Sequence, residues 1–340
     1  MTGYRVAILG ATGMVGREFI KILQQRQFPV SDLVLLASDR SAGKTVAYGS
    51  KQIVVQETGK DSFKDIDIVL ASAGAEISEE YSPIAAAAGA VVVDNSRAFR
   101  MTPDVPLVVP EVNLEDAKGH HGIIANPNCS TIQMVVALNP IHRVNQIKRI
   151  IVDTYQSVSG TGSNAVDEMF DQARAILEGR KAEAKVYPYQ IAFNLLPHIE
   201  PFQDNGYSRE EMKMLYETRK IMHAPDVLVS ATTVRVPVPL CHAEAIHIEL
   251  ERPMTPAEAR EILSGAPGVI VQDDLSNNVY PLPSYGAGKD EVFVGRIRKD
   301  ISHPNGLAMY VVSDNIRKGA ALNAVQIAEA LIQNGWLGKR

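Results

Sequence analysis

Five short runs in the first third of the chain constrain its fold most: YRVAILG (4–10), LVLLAS (33–38), DIVLAS (67–72), AVVVDNS (90–96) and GIIANP (122–127). Each is apolar throughout instead of alternating in polarity, the pattern of parallel strands covered on both faces. Parallel neighbours need crossovers, and the intervening segments are helical, so these runs predict a doubly wound α/β domain. A chain of 340 residues exceeds one such core, and its length predicts two domains.

The texture changes after residue 130. A helix is expected from about Thr131, carrying Met134, Val135, Leu138 and Ile141, and then RIIVDTYQSVSG (149–160) reads as a long strand. Alternating runs follow at VLVSATTVRVPV, AEAIHIEL, VFVGRIRKD and GLAMYVVSD. They predict an α+β domain with a mixed or antiparallel sheet and one covered face. The stretch from Asp314 to Trp336 starts with N-cap candidates Asp314 or Asn315 and spaces Ala321, Val325, Ala328, Leu331 and Ile332 as a helix face. The expected division is a nucleotide-binding domain over 1–128, completed by a C-terminal helix over 315–340, and a second domain over 129–314.

Hydrophobic residues at 46% and charged residues at 21% exclude a disordered chain. A net charge of −5 with no long basic run gives nothing to track a phosphate backbone, so no nucleic-acid partner is expected. No apolar run approaches the roughly 20 residues that span a bilayer, and MTGYRVAILG enters a strand at once, so no membrane partner and a cytoplasmic location are expected. Two cysteines, Cys129 and Cys241, make a thin disulfide framework and read as free thiols in a reducing compartment. No H-x-x-H, H-E-x-x-H or C-x-x-C spacing points to a metal.

GATGMVG places Gly10, Gly13 and Gly16 between the first strand and a helix. The spacing lets backbone approach a pyrophosphate at a helix N-terminus, although a plain tight turn has the same glycines. At the end of the second strand ASDRSAGK offers Arg40, Ser41 and Lys44, with Asp39 the only acid. Cations there favour the 2′-phosphate of NADP over the ribose hydroxyls of NAD; a solvated loop is the alternative.

NPNCST (126–131) puts Cys129 after a strand, in a turn, at a helix start. The positive end of the helix dipole lowers a thiol's pKa and raises the thiolate fraction. A thiolate beside a nicotinamide suits aldehyde chemistry: it attacks a carbonyl, the adduct exchanges hydride, and a second nucleophile resolves the thioester. In CHAEAIHIEL, strand parity sets His242 with Ile246, Ile248 and Leu250 on the covered face, and His247 with Glu249 on the wet one. The same parity turns Cys241 away from His242. Anion-binding candidates are Arg97 and Arg100 in DNSRAFRM and Arg235 seven residues before His242, with Pro237 and Pro239 breaking strand regularity between them. SREEMK carries a capping box from Ser208 to Glu211. On the residues alone, Glu210 and Lys213 read there as a solvated ion pair.

GATGMVG, NPNCST, TYQSVSGTG (154–162), SREEMK and RVPVPLCHAE occur in this order over nearly the whole chain, which thereby resembles the bacterial aspartate-semialdehyde dehydrogenase family. The resemblance implies a Rossmann-type domain joined to a sheet-bearing domain that also forms a homodimer interface, with pairing into a tetramer left open. It implies NADPH-dependent reduction of L-aspartyl 4-phosphate to L-aspartate 4-semialdehyde with release of phosphate, early in the route to lysine, methionine and threonine. Cys129 would carry the acyl-thioester, His242 would be acid/base and Gln156 would orient the substrate. Arg235 would bind its carboxylate, Arg100, Lys213 and Asn128 its phosphate, and Glu210 would position Lys213 or the substrate amine. For NADP(H) the matching positions are Thr12, Gly13, Met14, Val15, Arg40, Ser41, Ser159, Gly160 and Asn315, beside the turn glycine Gly10. Rival readings are an N-acetyl-glutamyl-phosphate reductase, a glyceraldehyde-3-phosphate dehydrogenase, a cysteine hydrolase, and a non-catalytic NADP sensor.

Overall fold

All five apolar runs are strands. In the structure, a computed structural model that describes residues 3–337, they are β1 (Tyr4–Leu9), β2 (Val30–Ala37), β5 (Ile68–Ala71), β6 (Val91–Asp94) and β7 (Ile123–Ala125). Two further strands, β3 (Thr45–Tyr48) and β4 (Lys51–Glu57), complete a seven-stranded sheet in the order β3-β4-β2-β1-β5-β6-β7. All its pairings are parallel except β3 with β4. That hairpin escaped the sequence reading because its residues are mostly exposed or half-exposed, so edge position replaced the apolar signature. Helices α1 (Met14–Gln25) and α2 (Ala75–Ala87) and the single turn α3 (Pro110–Asn113) supply crossovers.

The chain divides into two compact units. The first runs to Asn128 and resumes at Ala320, and the second is Cys129–Gly319. The expected first domain also included residues 1–2 and 338–340, which lie outside the described residues.

The second unit carries a six-stranded mixed sheet in the order β11-β12-β13-β10-β8-β9. Its strands are β8 (Ile147–Gln156), β9 (Leu228–Arg235), β10 (His242–Leu250), β11 (Val269–Val271), β12 (Val292–Lys299) and β13 (Gly306–Ser313). β9 stops at Arg235, before Pro237, because proline cannot donate to a ladder. α4 (Cys129–Val144) starts two residues before the expected Thr131 and is buried along most of its length, packing on β8, β10, β12 and β13. α5 (Ser163–Leu177), α6 (Arg209–Ile221), α7 (Pro256–Ser264) and the single turn α8 (Pro283–Gly286) complete the unit. Both halves of the α6 capping box form: Ser208 Oγ accepts from Glu211 N–H, and Glu211 Oε2 accepts from Ser208 N–H at 2.6 Å.

α9 (Leu322–Gln333) begins after a π turn over Arg317–Ala321, later than the cap candidates suggested. Asp314 Oδ1 accepts the N–H groups of Ile316 and Arg317. The expected face of Ala321, Val325, Ala328 and Leu331 is fully buried in the core of the first unit with Ile8, Phe19 and Leu70. Among the described residues no helix is long and apolar enough to cross a membrane.

Candidate active site

Cys129 is the first residue of α4 and is half-buried. Its Sγ lies 3.2 Å from Nε2 of His242, the first residue of β10. Gly319 packs closely against Cys129, since a Cβ there would sit 3.0 Å from the Cβ of Cys129.

The other face of the imidazole decides its tautomer. The backbone N–H of Ser157 donates to His242 Nδ1 at 3.1 Å, and an amide N–H has no acceptor role to exchange. A proton on Nδ1 would meet it head-on, so the neutral ring carries its proton on Nε2, facing the sulfur. His242 is fully buried, and that burial, aided by the charge of Arg235, lowers its pKa to about 3. An imidazolium–thiolate pair is therefore disfavoured. The thiolate is favoured by the helix N-terminus and by the Nε2–H bond directed at it.

Cross-strand register brings Arg235, Gln156 and His242 into one rank. Gln156 on β8 is paired with Arg235 of β9 on one side and His242 of β10 on the other. Directly paired residues on adjacent strands point to the same face, which is how two residues seven apart in sequence come to share a pocket. Gly160 lies against both: a Cβ there would fall 2.8 Å from Arg235 Nη1 and 3.4 Å from His242 Nε2. Arg235 is buried, with Nη1 donating to Ser157 O at 2.7 Å and Nε lacking a protein partner. A buried guanidinium N–H held open in this way suits a carboxylate ligand.

Gln156 Nε2 donates to Ser130 Oγ in the first turn of α4 and to Glu210 Oε1 at 3.1 Å. Glu210 is itself buried and accepts from Lys213 Nζ at 3.1 Å; Lys213 also reaches Glu200 Oε1 at 2.6 Å. The pair read from sequence as solvated is thus part of the buried network around Gln156. Ser159 and Asn315 are buried as well. Asn315 Oδ1 accepts from Ser157 Oγ, Ser159 Oγ and the Cys241 N–H, and its Nδ2 donates to Ser159 Oγ. This hub ties the segment behind His242 together and leaves the backbone around Gly160 as the exposed part of the loop.

In the first unit, Gly10 has φ +87°, and a Cβ on Gly16 would lie 2.2 Å from Gly10 O. The two glycines let α1 close onto the end of β1. Gly13 is the N-cap of α1 and offers no side-chain cap, so first-turn N–H groups around Met14 and Val15 are left for an anion. Thr12 Oγ1 donates to Ser41 Oγ at 3.3 Å, joining this turn to the loop after β2. In that loop Arg40 is exposed, and Asp39 spends Oδ1 on the Arg40 N–H at 2.7 Å. The carboxylate is engaged by its own loop and the guanidinium is free to meet a phosphate, so these residues fit NADP. Arg100 is buried, with Nε and Nη2 donating to the carbonyls of Asn126 and Asn95 after β7 and β6. It therefore sits at the carboxyl ends of the parallel strands, where ligands bind in open α/β sheets. Asn128 is also buried, and Arg97 is exposed.

Sequence reasoning missed Ser130, Ser157, Glu200 and Glu244. No local signal marks the first three, whose roles arise from contacts 13 to 85 residues away. Glu244 had one, since it shares the buried parity of His242.

Family models match both halves of the chain: one described as semialdehyde dehydrogenase, NAD binding domain, over residues 5–120, and one described as semialdehyde dehydrogenase, dimerisation domain, over 138–318. The chain is 58% identical over 339 residues to an aspartate-semialdehyde dehydrogenase of Aquifex aeolicus, covering 98% of this chain and 100% of that one. It is 50% identical over 337 residues to the Bacillus subtilis protein of that name, with 97% of each covered. Among solved structures, aspartate semialdehyde dehydrogenase II from Vibrio cholerae complexed with ASA superposes with a TM-score of 0.96 at 48% identity, covering 98% of this chain and 99% of that one. The Candida albicans enzyme with NADP superposes at 0.75 with 27% identity, again covering 98% and 99%.

Proposed function

Because the chain belongs to the aspartate-semialdehyde dehydrogenase family, we propose that it reduces L-aspartyl 4-phosphate to L-aspartate 4-semialdehyde with NADPH and releases phosphate, in the route to lysine, methionine, threonine and isoleucine. The observation that carries this reading is the rank of Arg235, Gln156 and His242, with His242 Nε2 3.2 Å from Cys129 Sγ.

The Cys129 thiolate attacks the acyl carbon of the acyl phosphate. A carbon–sulfur bond forms, the carbon–oxygen bond to phosphate breaks, and phosphate departs. NADPH, when bound, supplies the hydride that reduces the thioester carbonyl. His242 keeps its proton on Nε2 throughout as the hydrogen-bond donor of the site. It donates first to the sulfur and then to the oxygen on which negative charge develops, and collapse of the hemithioacetal expels the thiolate back to the same donor. Arg235 grips the substrate's α-carboxylate through the N–H left open, and Gln156, fixed by Ser130 and Glu210, orients the reacting group. Lys213, held by Glu210 and Glu200, binds the phosphate with Arg100 and Asn128. In the first unit the turn from Gly10 to Val15 binds the pyrophosphate, and Arg40 with Ser41 binds the 2′-phosphate. The backbone of Ser159 and Gly160, positioned by Asn315, contacts the nicotinamide end.

The second unit is also the oligomerisation unit, and the subunits pair as a homodimer in the cytoplasm. Support comes from the sheet face opposite α4, where Tyr155 is exposed and packs on Tyr310 with ring centroids 6.4 Å apart.

The test is phosphate-dependent NADP reduction with L-aspartate 4-semialdehyde, run beside N-acetyl-glutamate semialdehyde and glyceraldehyde 3-phosphate. The first substrate is expected to win by kcat/KM, and parity with either of the others sinks the assignment. Arg40→Ala is expected to weaken NADP about tenfold, the worth of a single charge-assisted hydrogen bond, and NAD much less. Equal weakening in a binding titration removes Arg40 from the 2′-phosphate site.

A further inference from the structure

One rank deeper in the same sheet, Glu244 of β10 is directly paired with Thr154 of β8 and shares the covered face with His242. Its side chain is fully buried, and its carboxyl faces the side chain of Gln133 on α4. Thr154 Oγ1 is buried without a partner. Gln133 lies on α4 four residues after Cys129, so the two share one face of that helix, and its amide reaches the Glu244 carboxyl as a hydrogen-bond partner.

We propose that Glu244, through its contact with the Gln133 amide beneath the catalytic rank, acts as a positioning residue for the Cys129 end of α4. The carboxyl is held as the neutral acid, because burial pushes it well above the usual carboxylate range and the Glu210 carboxylate pushes the same way. A neutral carboxyl donates one hydrogen bond and accepts others, so it can meet both the oxygen and the N–H of the Gln133 amide and anchors the first turns of α4. The thiol is then held on the line of the Nε2–H bond. This rests on the reading of Cys129 as nucleophile, not on the identity of the substrate.

Glu244→Gln and Glu244→Leu in the intact enzyme test it, read by the second-order rate of Cys129 alkylation with iodoacetamide and by kcat and KM. Alkylation needs no substrate, so a wrong substrate assignment and a wrong inference give different results. The glutamine variant is expected within about threefold of the parent in both rates, because it keeps a neutral hydrogen-bonding group of equal size. The leucine variant is expected to fall about tenfold in alkylation rate and kcat with KM unchanged, the order of one buried hydrogen bond. Should the leucine variant fail to fold, the infrared carbonyl stretch of a protonated carboxylic acid at pH 8, absent in Glu244→Gln, carries the test. Equal losses in both variants, unchanged rates in the leucine variant, or absence of that infrared band from the parent would overturn the proposal.

Discussion

Cys129 and Cys241 lie in the same unit, and His242 touches both, one through a hydrogen bond and the other through the peptide chain. Cys241 has a φ of +71°, is 1% exposed, and packs with Ala243 and Val312 on the side of the sheet away from the rank. A Cβ added to Gly286 would fall 3.3 Å from its sulfur, so the thiol fills a closed space. Burial, with the nearby charge of Asp314, pushes its pKa far up. Cys129 stands instead at an open helix start, facing an N–H. Neighbourhood in sequence to the imidazole thus confers nothing, and reactivity follows the local field and access.

The largest break of this comparison is removal of each sulfur in turn. Cys129→Ala is expected to lose about four orders of magnitude or more in turnover, as loss of a covalent nucleophile does. Cys241→Ala is expected to stay within about threefold and to show its cost of about 1 kcal/mol in urea unfolding. A Cys241→Ala enzyme as inactive as Cys129→Ala would reverse the two roles. Next in size, His242→Asn is expected to lower kcat about 100-fold or more and to slow iodoacetamide labelling of Cys129, with mass spectrometry finding Cys241 unlabelled in parent and variant alike. Labelling of Cys129 at the parental rate would remove the Nε2–H bond from the account.

The smallest effect is on stability against pH. His242 is held neutral in the fold with a pKa of about 3 against 6.5 when exposed. An unfolded chain binds that proton and the native one does not, so this group makes stability rise with pH between about 3 and 6.5 and stay level above. Glu244 acts in the opposite sense: burial raises its pKa in the fold well above the 4.5 of the unfolded chain, so its contribution falls as pH rises above about 4.5. Between about pH 4.5 and 6.5 the two oppose, each by up to roughly 1.4 kcal/mol per pH unit. Relative to the parent, His242→Asn is therefore expected to lower the slope of unfolding free energy against pH in that window, and Glu244→Gln to raise it. Taking differences from the parent separates them from Asp94 and His142, which also shift. Slopes that do not move in these senses would show that neither group is held neutral by the fold.

Much of this was legible before the structure. Uninterrupted apolar runs identified the parallel strands because burial on both faces leaves no room for polar alternation. Alternation placed His242 on the covered face, and the turn at NPNCST marked the thiol at a helix start. What failed to register was weak for a physical reason: β3 and β4 form an exposed edge hairpin, and β11 is three residues long. Glu210 and Lys213 looked solvated because a helix pair three apart carries no sign of what packs over it. His120 and His142, which carry no motif in the sequence, hold backbone, against Trp336 O and the Ile147 N–H respectively.

By itself the sequence determined the α/β alternation, the glycine turn, the cationic loop after β2, the thiol at a helix start and the protected imidazole. These are properties of residue type and spacing along a local element. Only the tertiary structure decided that Gln156 lies between Arg235 and His242, that the Ser157 amide sets the proton on Nε2, and that a fully buried Glu244 lies one rank below. Each depends on register between strands distant in the chain and on desolvation. Both arise only when the sheet closes under α4 and excludes the water that would otherwise satisfy these groups.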